Sequence, residues 1–265
     1  MKAKIFLTAI FLVAFVLNGC GLLSKKYTKT ETSGYKISTG NKKKITLENI
    51  NGNVMISPIN DSNTLTIKAF KEIKVKKKYL ETPFDEIEVE IDTNSEVISV
   101  RTEIRQKGSD GIFNFGRNQR VDYEIYVPAN IEIEIDNVNG NITSNGANNI
   151  LKVTLVNGDV ELNNFTGRVD CEITNGSFSG RIDSTNGIYI NTINGGITLY
   201  LNNYMNANIN AESVNSRITD ENLQIRDVMK DKKQLRGKLG KINTDVNIKV
   251  ETIYGKIWLY GRNEI

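Results

Sequence analysis

Four segments decide the fold: Ile133-Glu-Ile-Asp-Asn-Val-Asn139-Gly140-Asn-Ile142, Leu151-Lys-Val-Thr-Leu-Val-Asn157-Gly158-Asp-Val160, Val169-Asp-Cys-Glu-Ile-Thr-Asn175-Gly176-Ser-Phe178 and Ile188-Tyr-Ile-Asn-Thr-Ile-Asn194-Gly195-Gly-Ile197. Their asparagines recur at intervals of 18, 18 and 19 residues, and Asn215-Ser216 follows 21 residues later. Six residues before each Asn stand Ile133, Leu151, Val169, Ile188 and Ile209; four before stand Ile135, Val153, Cys171, Ile190 and Ala211; three after stand Ile142, Val160, Phe178, Ile197 and Ile218. Polar residues fill most positions between these columns, so the alternation has period two and indicates strands. Two more segments fit the template, one from Ile45 to Ile56 around Asn51-Gly52 and one from Ile248 to Leu259 around Tyr254-Gly255. Asn-Gly is also the strongest hairpin signal, which makes an antiparallel meander the competing reading. A meander reverses direction at every turn, whereas here the same directional string recurs, as it does when each repeat is one coil laid on the last. The expectation is an all-β fold, a single-stranded parallel β-solenoid of coils of about 18–21 residues, with flanking β-strands in the N-terminal part. Stacked corner asparagines would form an amide ladder, and the glycines would permit the turn.

The strings VNGNI, LVNGDVEL, ITNGSFSG and INGGITLYL, the stretch VDYEIYVPANIEIEIDNVNGNI, and Leu235-Arg236-Gly237 ahead of the last coil are similar to a bacterial putative-adhesin domain family of unknown function. The resemblance runs from about residue 45 to about residue 260. It implies a solenoid of short coils in an extracytoplasmic domain, and it brings no catalytic residues with it. The chain departs from the pattern where Ser216 replaces Gly and where Tyr254 replaces Asn, which breaks an uninterrupted ladder at those corners.

At the N-terminus, Lys2 and Lys4 precede an apolar run from Ile5 to Leu17. That run is shorter than the roughly 20 residues a transmembrane helix needs, and it reads as a signal peptide. Its end, Leu17-Asn18-Gly19-Cys20, resembles the lipobox of bacterial lipoproteins, in which the Cys thiol accepts diacylglycerol before cleavage. The domain expectation is a lipoprotein signal peptide at 1–19, lipidated Cys20 and a flexible tether at 20–41, and the repeat domain at 42–265. A coil as long as the tether spans on the order of 25 Å. The implied location is extracytoplasmic, lipid-anchored to a bacterial membrane, either the outer membrane or the outer face of the plasma membrane.

Composition narrows the chemistry. The 265 residues include no His, which removes His-based triads, HExxH zinc sites and imidazole acid–base schemes. Two Cys supply neither a Cys-rich zinc site nor a disulfide framework, and Cys171 falls in an apolar column as a small buried hydrophobe. No cofactor or metal is expected. Without residues 1–19 the chain carries 32 basic against 31 acidic groups, so its global charge does not call for nucleic acid.

Two regions interrupt the repeat. Arg105 to Arg120 is a Gly-rich stretch with Phe113 and Phe115 at its apolar centre, read as a loop packed on the flank of the coils, the alternative being apolar tips that touch a partner or the membrane. Thr219 to Lys241 doubles the usual spacing and concentrates basic charge, with seven Lys and Arg against four acids over residues 220–241. Lys232, Lys233 and Arg236 are its candidate contacts to an acidic glycan or protein of the envelope. Lys71 to Lys78 reads as the wet face of a strand whose lysines discourage edge pairing. The functional expectation is a non-enzymatic cell-envelope lipoprotein, an adhesin-like scaffold for envelope or surface partners. The alternatives are a carbohydrate-active β-helix enzyme, a polysaccharide lyase or hydrolase, and an envelope-stress component.

Overall fold

The computed structural model describes residues 26–61, 63–76, 87–104, 119–129, 131–242 and 244–263. Cys20 and the signal segment, Phe113 and Phe115, and Lys77 and Lys78 lie outside the described residues. The described chain is all β. Its strands are β1 (Lys26–Ser38), β2 (Lys44–Asn51), β3 (Val54–Pro58), β4 (Thr64–Lys76), β5 (Ile87–Asp92), β6 (Val97–Ile104), β7 (Gln119–Val127), β8 (Glu132–Asn139), β9 (Ile142–Asn145) and β10 (Asn148–Asn157). They continue as β11 (Val160–Asn175), β12 (Phe178–Asn194), β13 (Ile197–Asn202), β14 (Ala207–Ser213), β15 (Ile218–Glu221), β16 (Ile225–Lys230), β17 (Gln234–Leu239), β18 (Asn247–Thr252) and β19 (Ile257–Arg262).

The repeat columns are the structural registers. Leu151 pairs with Ile133 on one side and Val169 on the other, Val153 with Ile135 and Cys171, and Val160 with Ile142 and Phe178, all in parallel. Every residue of the three apolar columns is buried. Strands β11 and β12 serve both sides of a coil. The start of β11 pairs with β9 and its later part with β10, and the register slips between Leu162 and Arg168, where the strand bends from one side to the other.

At the Asn-Gly corners the chain turns sharply and the coils touch. Gly158 and Gly176 have φ of +143° and +148°. A Cβ on Gly158 would lie 2.1 Å from the Gly140 carbonyl oxygen, and one on Gly176 would lie 1.8 Å from that of Gly158. Only glycine permits both the dihedral and the approach. The asparagines beside them form the amide ladder: Nδ2 of Asn139 donates to Oδ1 of Asn51 at 2.8 Å, Asn157 to Asn139 at 2.9 Å, Asn175 to Asn157 at 2.9 Å and Asn194 to Asn175 at 2.8 Å. A second ladder runs beside it, in which the backbone N–H of Asn141, Asp159 and Ser177 donates to the side-chain oxygen of Asn53, Asn141 and Asp159 in the preceding coil.

The described strands form one curled, mixed sheet, and this corrects the expectation of a single-stranded parallel β-solenoid with its coils laid down in chain order. Antiparallel pairs join β1 to β4, β4 to β7, β5 to β6, β14 to β17 and β16 to β17. The order of the parallel coils also departs from the order of the chain. The last coil, β18–β19, lies between two earlier ones: Ile248 pairs with Ile188 and Ile209, and Ile257 with Ile197 and Ile218. The first coil, β2–β3, is likewise enclosed, with Ile45 between Ile98 and Ile133 and Val54 between Tyr123 and Ile142. The long interval before Tyr254 is thereby explained. After β15 the chain reverses through the β16–β17 hairpin and returns to fill the coil position that it had skipped.

Residues 26–38, expected to belong to a tether, form strand β1, paired residue for residue with β4 from Lys26 opposite Lys76 to Ser38 opposite Thr64. Their Thr-rich composition suits a strand, and Tyr35 and Ile37 alternate onto the core while the backbone pairing orders the rest.

Three outcomes follow from this architecture. Gly176→Ala should destabilise the domain by at least about 2 kcal/mol, whereas Gly34→Ala, whose Cβ would meet nothing within 4 Å, should leave the thermal melt nearly unchanged. Val153→Asp should unfold the domain by burying an unpaired charge. Lys152→Gln, which gives up only the partly exposed pair with Glu132 at 3.0 Å, should move the melt little, and equal melts for these two variants would refute the register. Deletion of residues 247–265 removes an interior coil, so circular dichroism should show loss of the cooperative transition rather than the small decrement expected from trimming an end coil.

Candidate functional site

The basic segment between Asn215 and Tyr254 is a hairpin that closes one end of the strand run. Strand β17 pairs antiparallel with β14, and β16 pairs with β17 around a turn at residues 231–233. Asp231 builds this turn: its Oδ1 accepts the backbone N–H of Lys233 at 2.6 Å and of Gln234 at 2.8 Å. Those two hydrogen bonds hold its carboxyl below the usual carboxylate range.

The three sequence-predicted contacts are exposed but do not act alike. Lys233 Nζ donates to the Val214 carbonyl at 2.5 Å, and Arg236 Nε donates to Asn210 Oδ1 at 3.2 Å. Lys232 carries no hydrogen bond or ion pair from its side chain among the described residues, and its carbonyl accepts Ile218 N–H at 2.9 Å. Other cations of the segment are engaged: Lys230 pairs with Asp220, Lys238 with Asp227 at 3.5 Å, and Arg226 Nε donates to the Gly240 carbonyl at 2.6 Å. The net basic charge of the hairpin is therefore shared between its turn and Arg226, Arg236 and Lys241.

A second surface was not anticipated. The residue immediately before each corner is β-branched and outward-facing: Ile50, Val138, Val156, Thr174, Ile193, Val214 and Ile253. Stiff branched side chains stacked at the strand spacing of about 4.8 Å make an apolar ridge beside the amide ladder. At Ile50, Val138 and Val156 the ridge borders an open groove of about 550 Å³ whose other wall includes Glu48, Arg101 and Asp136. Arg101 donates to Glu48 at 3.1 Å, and that bond raises its affinity for its proton. Across β5 and β6, Glu88 faces Glu103 with Glu90 nearby, their oxygens within 4.8 Å of one another.

The interior has its own polar positions two residues before the corner, which the sequence reading also missed. Asn137 Nδ2 donates to the Gly52 carbonyl at 3.0 Å, Thr252 Oγ1 to that of Gly195 at 2.9 Å and Ser213 Oγ to that of Gly255 at 2.9 Å. These bonds satisfy corner carbonyls, and that of Gly195 also accepts from Thr192 Oγ1 at 2.8 Å. Tyr123 is buried as well, with its hydroxyl 2.6 Å from Thr102 Oγ1. Cys171 is enclosed in the core, and burial, reinforced by the charges of Asp170 and Glu172, pushes its thiol far up.

A raised thiol pKa means that the neutral form persists in the folded state through mildly alkaline pH. In a Cys20→Ser background, Cys171 should therefore resist a disulfide reagent between pH 7 and 9 without the rise in rate that a free thiol shows, and should react at once in denaturant. Fast labelling of the native protein would place Cys171 outside the core.

No family model matches the chain, and no curated protein matches it. Among solved structures, the fold is similar to a putative cell adhesion protein from Clostridium sporogenes ATCC 15579, at 16% identity and a TM-score of 0.49 over 90% of this chain and 100% of that one. It is also similar to a putative adhesin from Parabacteroides merdae ATCC 43184, at 11% identity and a TM-score of 0.34 over 87% of this chain and 96% of that one. A putative lipid binding protein from Parabacteroides distasonis ATCC 8503 is similar at 13% identity and a TM-score of 0.33 over 88% of this chain and 96% of that one.

Proposed function

We propose that the protein is a non-enzymatic lipoprotein of the bacterial cell envelope, a short solenoid-like scaffold that is anchored at one end and presents binding surfaces at the other. The observation that carries this reading is the β1–β4 pairing. It begins six residues after Cys20 and sets Lys26 opposite Lys76 and Thr28 opposite Lys74. Six residues reach at most about 20 Å, so a lipid on Cys20 holds the β1–β4 end of the domain against the bilayer. The lysines at that end add attraction to anionic headgroups, worth about 1 kcal/mol for each Lys near the surface. The hairpin turn with Lys232 and Lys233 belongs to the opposite end of the strand run and contributes to recognition of an acidic envelope partner.

Mass spectrometry should find the mature chain beginning at Cys20 with a diacylglyceryl thioether, and Cys20→Ser should move the protein from the membrane to the soluble fraction. Membrane partition unchanged by that substitution would refute the anchor. The triple variant Lys232→Ala, Lys233→Ala, Arg236→Ala should keep its melting temperature and recover less partner in pull-downs from native membranes at low salt. Equal recovery would reduce the hairpin to a solvated cap.

A further inference from the structure

The intercalated last coil brings the chain's one tryptophan onto an open sheet face. The outward residues of β13, β19 and β15 lie in rows set by the parallel register: Thr198, Trp258 and Thr219 in one row, Tyr200, Tyr260 and Glu221 in the next. Tyr200 and Tyr260 stack with ring centroids 5.0 Å apart and planes inclined by 14°. Trp258 leans over the neighbouring coil at Gly196, where a Cβ would meet its Cζ3 at 3.2 Å. Other coils carry Asn53, Asn141, Asp159 and Ser177 at the position of Gly196. Here the missing side chain leaves room for the indole, which accounts for the second glycine of Asn194-Gly195-Gly196.

The row beside the aromatics is cationic. Ile197 N–H donates to the Lys256 carbonyl at 2.9 Å, Ile257 N–H to that of Arg217 at 3.2 Å and Ile218 N–H to that of Lys232 at 2.9 Å. These bonds place Lys256, Arg217 and Lys232 at successive levels about 4.8 Å apart. All three are exposed, and Lys256 Nζ lies 5.7 Å from the Trp258 ring centroid. Arg181 pairs with Tyr200 in the adjoining coil and extends the positive border on the other side.

We infer that this face binds an acidic polysaccharide. The indole and tyrosine rings offer apolar, polarisable surface for the C–H faces of sugar rings, Thr198 and Thr219 offer hydroxyls, and the row of cations fits carboxylates repeated along the glycan. Charge complementarity singles out an acidic chain over a neutral one. The inference deepens the scaffold reading by naming a ligand class for its distal end, and the lysine of the hairpin turn becomes the last member of the cationic row.

Trp258, as the single tryptophan, reports on the site directly. The test uses the mature domain with Cys20→Ser, so its result does not depend on membrane anchoring. Polygalacturonate should change the tryptophan fluorescence saturably and more weakly as salt is added, and pullulan, a neutral glucan, should bind at least about tenfold more weakly. Lys256→Gln with Arg217→Gln, both exposed, should keep the melting temperature and weaken polygalacturonate binding by about tenfold. Calorimetry on Trp258→Leu should show a similar loss. Neither heat nor fluorescence change with polygalacturonate would overturn the inference, as would wild-type affinity in either variant or equal binding of pullulan.

Discussion

The coils approach one another at their corners so closely that no Cβ would fit there. Where one coil turns over the last, the carbonyl oxygen of one corner glycine occupies the space in which the next would carry a Cβ, at 1.8 Å for Gly176 over Gly158. This approach fixes the distance between coils, and the parallel ladders, the amide ladder and the three inner columns are spaced by it. Glycine's conformational freedom is a burden in the unfolded chain, and the ladders on either side of the corner offset it. Each hydrogen bond contributes about 1 kcal/mol net, but each also holds the adjacent corner in register. The β-branched residues immediately before the corners reinforce them from outside with side chains that are stiff at χ1.

A chain of stacked repeats ordinarily adds coils from one end to the other. Here both terminal coils are interior, β2–β3 between strands that come later and β18–β19 between strands that come earlier. The antiparallel pairs are the means to this end, since a chain must reverse to return to a position it has skipped, and β16–β17 performs that reversal. The consequence is energetic. In an open stack an end coil has one neighbour and frays, whereas here removal of β2–β3 or of β18–β19 opens a gap with apolar walls on both sides. The price is a fold that closes late, because the C-terminal coil must pair with strands whose own positions are already set.

The sequence made the apolar columns legible because period two and the Asn-Gly punctuation act locally, and every column residue from Ile133 to Ile218 is buried. It did not reveal coil order. Ile248 matches the template equally well whether it follows Ile209 or is inserted before it, and the 39-residue spacing signals an interruption without its direction. Strand β1 was missed because its order comes from thirteen backbone pairings with β4, to which side-chain periodicity is blind. Of the candidate site, the hairpin cations were legible as a charge excess. Their relation to Trp258 was not, because Lys232, Arg217 and Lys256 become neighbours only through the intercalation. The polar residues two before the corner, such as Asn137 and Ser213, left a signal in an otherwise apolar register that counting three columns passes over.

The strand order also bears on how such a scaffold would be used. On the side of the coils that carries the aromatic rows, β1 and β4 stand at one end, and β7, β3, β9, β11, β12 and β13 separate them from β19. Eight strand intervals of about 4.8 Å amount to about 40 Å along the sheet. The proposed anchor at the β1 end and the proposed binding face at the β19 end would thus be set apart by the stack itself, with no need of a long tether. Under that proposal the five residues between Cys20 and Lys26 would suffice, because reach comes from coils whose spacing the glycine corners fix.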